Sequence, residues 1–582
     1  MAVALVCAWL ALAGTAVAQD KQPTAVGAGG AAATVDALAT QAAIEALRDG
    51  GNAVDAAVAA AGVLGVTEPF SAGIGGGGFM VIRTAKGRVT TIDHRELSPE
   101  AMRPDSFFEN GAPLAFNAAR YSGLSAGVPG TVLGWHEALK RYGTWSLARA
   151  LEPGIEVARE GFVVDQTFAD QTQPNVPWFD DVPSTAAIYL DADGTPRDVG
   201  SVLRNPDLAR TYELIARGGA RAFYRGPIAD AIVAAVRTPP IAADADHVWR
   251  AGLMDERDLK KYTAPERAAT RVGYRGLDVF GMGPPSSGGS TVGEALNVLE
   301  GYGDLGADRT RALHLFLEAS RFSFADRGAY LADPAFFDVP LRGLLSDGYA
   351  AERRALIDED TAATSPVPPG DPYPYDDGKK FKRRVKTLSA GDHEGRSTTH
   401  LVVSDRQGNV VSYTFTIEST GGNGIVVPGY GFLLNNELTD FNFDSTTHPN
   451  RADGGKRPRS SMSPTIVLDR GRPFLAVGSP GGSTIITTVL QVLLERIDLG
   501  RSLPDAIAAP RATQRNTPTT LAEAAFTASP EGQALASQYG HQFAPAGEIG
   551  AVTALEFLTG GRVLAAAEPV RRGGGSAAVE QP

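Results

Sequence analysis

Thr398 and Thr416 are the two residues whose types and spacing could do chemistry together. "THLVVS" and "VVSYTFTI" read as strands flanking the turn "DRQGN", which predicts a β-hairpin. If Ser404 and Val410 close the loop, Thr398 lies opposite Thr416, with Glu418 one step further on the same face. Directly opposed side chains have Cβ atoms about 4.5–5.5 Å apart, within reach of a hydroxyl–hydroxyl hydrogen bond. Such pairs are usually structural, and a threonine hydroxyl is a weak nucleophile without a base beside it. An α-amine on the same residue would be that base, because its pKa of about 7.7–8.0 leaves a useful neutral fraction near pH 7.4. Thr398 has that amine only if the chain is cut before it. A linker over 365–397, Pro-rich and then basic ("SPVPPGDPYPYDDGKKFKRRVK"), runs straight into the strand. The expected route is self-cleavage: the Thr398 hydroxyl attacks the Ser397 carbonyl, the acyl group moves from N to O, and hydrolysis frees the amine.

Rival chemistries are poorly supported by the sequence. Gly123-Leu-Ser-Ala-Gly127 fits the nucleophile-elbow pattern, but no buried apolar strand leads into it and Pro129-Gly130 breaks the segment after it. The 8 histidines are scattered, with no H-E-x-x-H and no close pair on one helix face, so no metal site is expected. "SAGIGGGGFMVIRT" lacks the Lys-Ser/Thr of a P-loop and the spacing of a dinucleotide fingerprint. Its glycines are expected to let backbones pack closely, and no cofactor is expected.

The elements that must position the threonine pair emerge from periodicity. "TVDALATQAAIEALRDGGNAVDAAVAAAGVLGVTEP" reads as two helices broken at Gly50-Gly51, with Asn52 as N-cap of the second. Residues 130–360 carry mostly helical patterns, among them "TVLGWHEALKRYG" and "TRALHLFLEASRFSFADRG". From Thr398 the texture turns to strands: the hairpin, then "GFLLNN", "PTIVLD" and "PFLAVGS", then a helix in "STIITTVLQVLLERI". "AVTALEFLTGGRVLAAAEP" reads as a hairpin turning at Gly560-Gly561. The order fits an α+β fold with sheets covered by helices, although 582 residues would by length alone suggest three to four domains.

Bulk properties narrow the partners. A net charge of −12 disfavours nucleic acid, and the basic run Lys379–Lys386 reads as solvated linker. Residues 1–18 are apolar or small and end in Ala16-Val17-Ala18, which predicts a signal peptide and export. The segment carries no Lys or Arg, so retention as a membrane anchor is the alternative. The one cysteine, Cys7, lies within it, so the mature protein would have neither disulfides nor a catalytic thiol.

Longer motifs carry a resemblance. "STTH", "GNVVSYTFTIE", "LLNNELTDF", "KRPRSSMSPTI" and "VGSPGGSTIITTVLQ" resemble the γ-glutamyltranspeptidase family of N-terminal-nucleophile hydrolases. So do "GGNAVDAAVA", "DHRELSP", "GPPSSGGSTVGEALNVLEGY" and "AEPVRRGGGSAAV", in order along nearly the whole chain. The resemblance implies a four-layer αββα sandwich with an extra mainly helical region. It implies a large subunit (19–397) and a small catalytic subunit (398–582) that form one heterodimer from one precursor. It makes Thr398 nucleophile and general base, Thr416 its orienting partner, and Gly481 and Gly482 the oxyanion donors. It gives the donor carboxylate to Arg95, Ser460 and Ser461, and the donor ammonium to Glu418, Glu437 and Asp440. The implied substrates are γ-glutamyl donors such as glutathione, with water, amino acids or peptides as acceptors.

Two departures qualify this reading. Many family members carry an amide where Glu418 and Glu437 stand. The segment between Asp440 and Ser460 is also short and shows no obvious aromatic lid, which predicts an open site favouring hydrolysis and bulkier donors. The alternative within the fold is a cephalosporin-acylase-like (glutaryl) amidase.

Overall fold

The computed structural model describes residues 21–376, 395 and 397–581. The leader, with Cys7, and the basic run lie outside the described residues, as does part of the 365–397 linker.

Both helices expected near the start form, at Ala37–Arg48 and Ala53–Thr67. Asn52 caps the second through a capping box with Asp55, each side chain satisfying a backbone N–H that the helix leaves open. Every residue of Ala53–Thr67 is buried. The reason is its position: a sheet covers one side, and the helix Leu147–Glu160 of an outer helical region covers the other.

Two antiparallel sheets form the centre. One orders Val89–Asp93, Gly77–Arg83, Val410–Thr416, Thr399–Ser404 and Thr24–Thr34. The other orders Arg562–Ala567, Thr553–Phe557, Arg472–Gly478, Thr465–Asp469, Leu277–Gly281 and Thr270–Tyr274. They face one another, and hydrogen bonds cross between them: Ser412 Oγ donates to Val477 O at 3.2 Å and Thr553 Oγ1 to His400 O at 3.2 Å. Side chains alternate along the first sheet as a pleat requires. Leu401, Val403 and Val411 pack toward the helices near the start of the chain, and Val402 and Val410 toward the second sheet. The helices Gly288–Glu300 and Thr484–Ile497 cover the second sheet, with Arg309–Tyr330 packed on Gly288–Glu300, completing an αββα sandwich.

Four expectations are corrected. Thr24–Thr34 is a long strand absent from the sequence-based expectation, because "TAVGAGGAAAT" has neither β-branched density nor alternation. It pairs Arg562–Ala566 with its first half and Val402–Ser404 with its second, changing register near Gly29, where φ is +87°. The sheets are thus joined through one strand, and the several domains suggested by length do not appear among the described residues. "GFLLNN" is not a strand: only an isolated bridge, Val426 to Leu433, forms there. A hairpin at 270–281 also interrupts the region read as helical.

Candidate active site

The hairpin has the register the turn predicted. Thr399 pairs with Phe415 and Ser404 with Val410, which sets Thr398 opposite Thr416 at the open end of the ladder. Thr398 Oγ1 lies 3.3 Å from Thr416 Oγ1, and both side chains are buried. In this continuous chain both hydroxyls also reach the Ser397 carbonyl oxygen, Thr398 by a short contact and Thr416 at 3.3 Å. The Ser397 side chain is held by Ser71 Oγ at 3.0 Å and Phe70 O at 3.2 Å. The hydroxyls of Thr398 and Thr416 and the Ser397 carbonyl therefore meet at one point.

Glu418 sits one step past the strand, as expected, but by a turn and not by continued pleat. Its φ is +83°, a conformation that is uncommon for a residue with a side chain and often marks a functional constraint. That turn brings the Glu418 N–H back onto Thr416 Oγ1 at 2.8 Å, leaving the hydroxyl proton of Thr416 free for another acceptor. Its carboxylate accepts from Ser419 Oγ at 2.5 Å, and from Asn436 Nδ2 and the Gly395 N–H in short contacts.

One cleft is lined by Arg95, Ser397, Thr398, Thr416, Glu418, Glu437, Asp440, Ser460, Ser461 and Gly482, residues far apart in sequence. Gly481 lines the neighbouring cavity instead. The glycine pair precedes the helix Thr484–Ile497, at φ of +135° and +57°. Among the described residues, neither N–H donates to the protein.

Arg95 is buried and clamped by two of the expected ammonium ligands: it contacts Glu437 in a short ion pair and Asp440 at 2.5 Å. It also donates to Arg459 O at 2.8 Å and Pro458 O at 3.2 Å. The opposite charges expected to share a substrate thus satisfy one another. Burial raises the pKa of all the acids here: Asp440 to about 8, with the Glu418 charge adding to it, Glu437 well above its usual range, and Glu418 in the same direction. Ser460 Oγ accepts from Met462 N at 3.2 Å and Ser461 Oγ from Arg327 Nη2 at 2.7 Å.

The glycine run reads as close packing, as expected. A Cβ on Gly76 would lie 1.9 Å from Thr416 O, and one on Gly77 2.5 Å from Glu96 Oε2. The nucleophile-elbow pattern is inert: Ser125 is buried in a 3-10 turn, and its hydroxyl bonds Arg120 O at 2.6 Å. The fold does bring His314, Glu318 and His541 together, a grouping no local spacing reveals. None of them lines the cleft, and Arg321 already engages Glu318.

A family model described as gamma-glutamyltranspeptidase matches residues 39–578. The chain belongs to the γ-glutamyltranspeptidase family. It is 40% identical to the glutathione hydrolase proenzyme of Bacillus subtilis strain 168, covering 84% of this chain and 81% of that one. It is 37% identical to an acylase, ACY 1 proenzyme, of Pseudomonas sp. strain SE83, over 84% of this chain and 83% of that one. Among solved structures it is similar to the cephalosporin acylase of Bacillus halodurans, with TM-score 0.82 and 29% identity over 96% of this chain and 97% of that one. This γ-glutamyltranspeptidase-family chain is accordingly an enzyme of the N-terminal-nucleophile type.

Three residues of the site were not expected from the sequence. Glu96 is buried with neither carboxylate oxygen hydrogen-bonded among the described residues, 3.9 Å from Arg95, and burial pushes it up to about 7. Its adjacency to Arg95 made it look like an ordinary surface ion pair. Arg120 contributes positive charge to Glu418 from the outer helical region. Arg572 donates Nη1 to Thr398 O at 2.8 Å and Nη2 to Ser71 Oγ at 2.7 Å. Only its place in "AEPVRRGGGSAAV" hinted at a role.

Proposed function

We propose that the chain is a precursor that cuts itself between Ser397 and Thr398, and that the mature enzyme moves γ-glutamyl groups from donors such as glutathione. The observation that carries this is the meeting of Thr398, Thr416 and the Ser397 carbonyl beside a charged cleft built from Arg95 and buried acids.

For self-cleavage, Thr398 Oγ1 passes its proton to Thr416 as it attacks Ser397 C, while the Thr416 proton serves the carbonyl oxygen; the Ser397 C–Thr398 N bond then breaks and that proton passes to the departing nitrogen. Hydrolysis of the resulting ester leaves Thr398 with a free amine. In turnover that amine takes the hydroxyl proton as Oγ1 attacks the γ-carbonyl carbon, whose oxygen accepts from the Gly481 and Gly482 N–H groups; the amide C–N bond then breaks, the proton passes to the leaving amine, and a γ-glutamyl ester of Thr398 remains. Such a donor is worth about 10²–10³ in kcat. The donor carboxylate replaces Glu437 and Asp440 on Arg95, helped by the Ser460 and Ser461 hydroxyls, whose oxygens already accept from the protein. The displaced acids, with Glu418, then surround the ammonium. Water or the amine of an amino acid or peptide releases the acyl group.

The second reading, a glutaryl amidase like the acylase relatives, keeps the chemistry and loses the ammonium. Three buried acids in the cleft, Glu418, Glu437 and Asp440, beside the one Arg95 favour the donor that brings a positive charge. An open site is supported by the segment 441–459. Its Phe441 and Phe443 pack beneath, against Met102 and Phe107, and no aromatic lines the cleft among the described residues. Water access should therefore exceed that of a lidded site; mostly transfer product with an added dipeptide acceptor would contradict this.

The deciding experiment is a denaturing gel of purified protein beside Thr398→Ala, with N-terminal sequencing, and then γ-glutamyl and glutaryl anilide assays. The expected result is a fragment beginning Thr-Thr-His, absent from the variant, and release from the γ-glutamyl donor. An intact wild-type chain, or glutaryl cleavage alone, would overturn the respective step.

A further inference from the structure

Behind the cleft wall at Ser460 and Ser461 lies a guanidinium that does not itself line the cleft. Arg327, buried in the last turn of the helix Arg309–Tyr330, donates Nη2 to Ser461 Oγ at 2.7 Å and Nε to Ser287 Oγ at 2.9 Å. Ser287 stands just ahead of the helix Gly288–Glu300. Its N–H and its hydroxyl both donate to Ser460 O at 2.7 Å. One buried arginine thus holds Ser461 directly and is anchored on the residue that holds Ser460.

A guanidinium has only donors to offer, whereas a hydroxyl has one proton and two lone pairs. Ser461 Oγ must therefore accept from Arg327, and its own proton has to leave in another direction. Among the described residues that proton meets no acceptor, and Ser461 lines the cleft. Ser460 is placed alike, its Oγ taking the Met462 N–H at 3.2 Å. A charged donor behind Ser461 strengthens what the hydroxyl gives in turn, because hydrogen bonds in series polarise one another. Arginine suits the task, since its planar fork reaches two hydroxyls at once in a fixed geometry.

We propose that Arg327 is a positioning residue for the donor: it turns the Ser461 proton into the cleft, so that the site selects acyl groups ending in a carboxylate over those ending in an amide. It touches no substrate atom and acts through Ser461. The inference rests on the acyl-threonine reading above, and on the end carboxylate alone, which γ-glutamyl and glutaryl donors share. A carboxylate accepts from Arg95 and from both serine hydroxyls. A carboxamide in its place turns an NH₂ toward them and leaves a hydroxyl proton without an acceptor.

The test measures KM and kcat for γ-glutamyl p-nitroanilide and for its α-carboxamide, in processed wild type, Arg327→Met and Arg327→Lys. Arg327→Met is expected to raise KM for the carboxylate donor about five- to tenfold, with kcat and the carboxamide KM within about twofold of wild type. Arg327→Lys should restore part of the loss. In a Ser461→Ala background Arg327→Met should add less than about twofold, because the hydroxyl it acts through is gone. An equal rise in KM for both donors, a loss confined to kcat, or full additivity with Ser461→Ala would overturn the proposal. Should Arg327→Met fail to fold or to cut itself, Ser287→Ala, which removes the acceptor of Arg327 Nε, carries the same comparison. It should raise the carboxylate KM about two- to threefold, and an unchanged ratio of the two KM values would sink the idea. Refusal of γ-glutamyl p-nitroanilide by wild type would count against the donor reading instead; glutaryl p-nitroanilide and its amide, with the same end carboxylate, then replace the pair.

Discussion

At the scale of single residues, the cleft concentrates acid. Glu96, Glu437 and Asp440 share Arg95, Glu418 lines the cleft beside them, and burial raises all four pKa values, Glu96 to about 7 and Asp440 to about 8. They titrate as a group, not as separate sites. Between the usual carboxylate range near 4 and these raised values, the folded site holds protons that the unfolded chain has lost. The acids therefore cost stability as pH rises through that window. A donor ammonium favours the ionised acids, so its binding releases protons and tightens with rising pH. KM for a γ-glutamyl donor is expected to fall about three- to tenfold from pH 6 to 8, while KM for a glutaryl donor stays flat; parallel profiles would contradict an ammonium site here. Thr416 yields a second expectation. Thr416→Ala should slow appearance of the Thr398 fragment by about 10²-fold, and Thr416→Ser should recover much of the rate, as monitored by timed gels. The threonine pair was legible in the sequence because a hairpin turn fixes its own register. Glu96 and Arg572 were not, because burial and contacts across the chain decide their roles.

At the scale of elements, the site depends on close approach between backbones. The glycine run before the strand Gly77–Arg83 was readable as a packing device, yet its neighbours were not. A side chain on Gly76 would meet Thr416 O at 1.9 Å, a backbone atom that cannot yield without moving the hairpin. Gly76→Ala should lower stability by about 1–3 kcal/mol and delay self-cleavage, whereas Gly303→Ala, with nothing within 4 Å, should do neither. Thermal melts beside timed gels check both, and prompt cutting in Gly76→Ala would refute this role for the glycine. Strands rich in Val, Ile, Tyr and Phe announced themselves by alternation. Thr24–Thr34 did not, since its alanines and glycines suit a crowded sheet centre where larger side chains would not fit: a Cβ on Gly30 would come 2.8 Å from Ser404 O. "GFLLNN" misled in the opposite direction, its apolar residues being buried without a ladder to join.

At the scale of the whole molecule, cutting the chain would not separate its parts. Thr24–Thr34, before the proposed cut, pairs with Val402–Ser404, Arg562–Ala566 and Ser576–Gln581, all after it. Gly77–Arg83 likewise pairs along the full length of Val410–Thr416. The two fragments should co-elute in gel filtration without denaturant and part only on unfolding; separate peaks would show that the shared sheets do not hold them.

The cleft would also meet a carboxylate before any donor arrives. Hydrolysis before Thr398 would turn the Ser397 carbonyl into a new carboxylate inside the lining that holds Arg95. The freed end would then compete with the first donor for that guanidinium. The lag between cutting and activity should shorten as donor concentration rises.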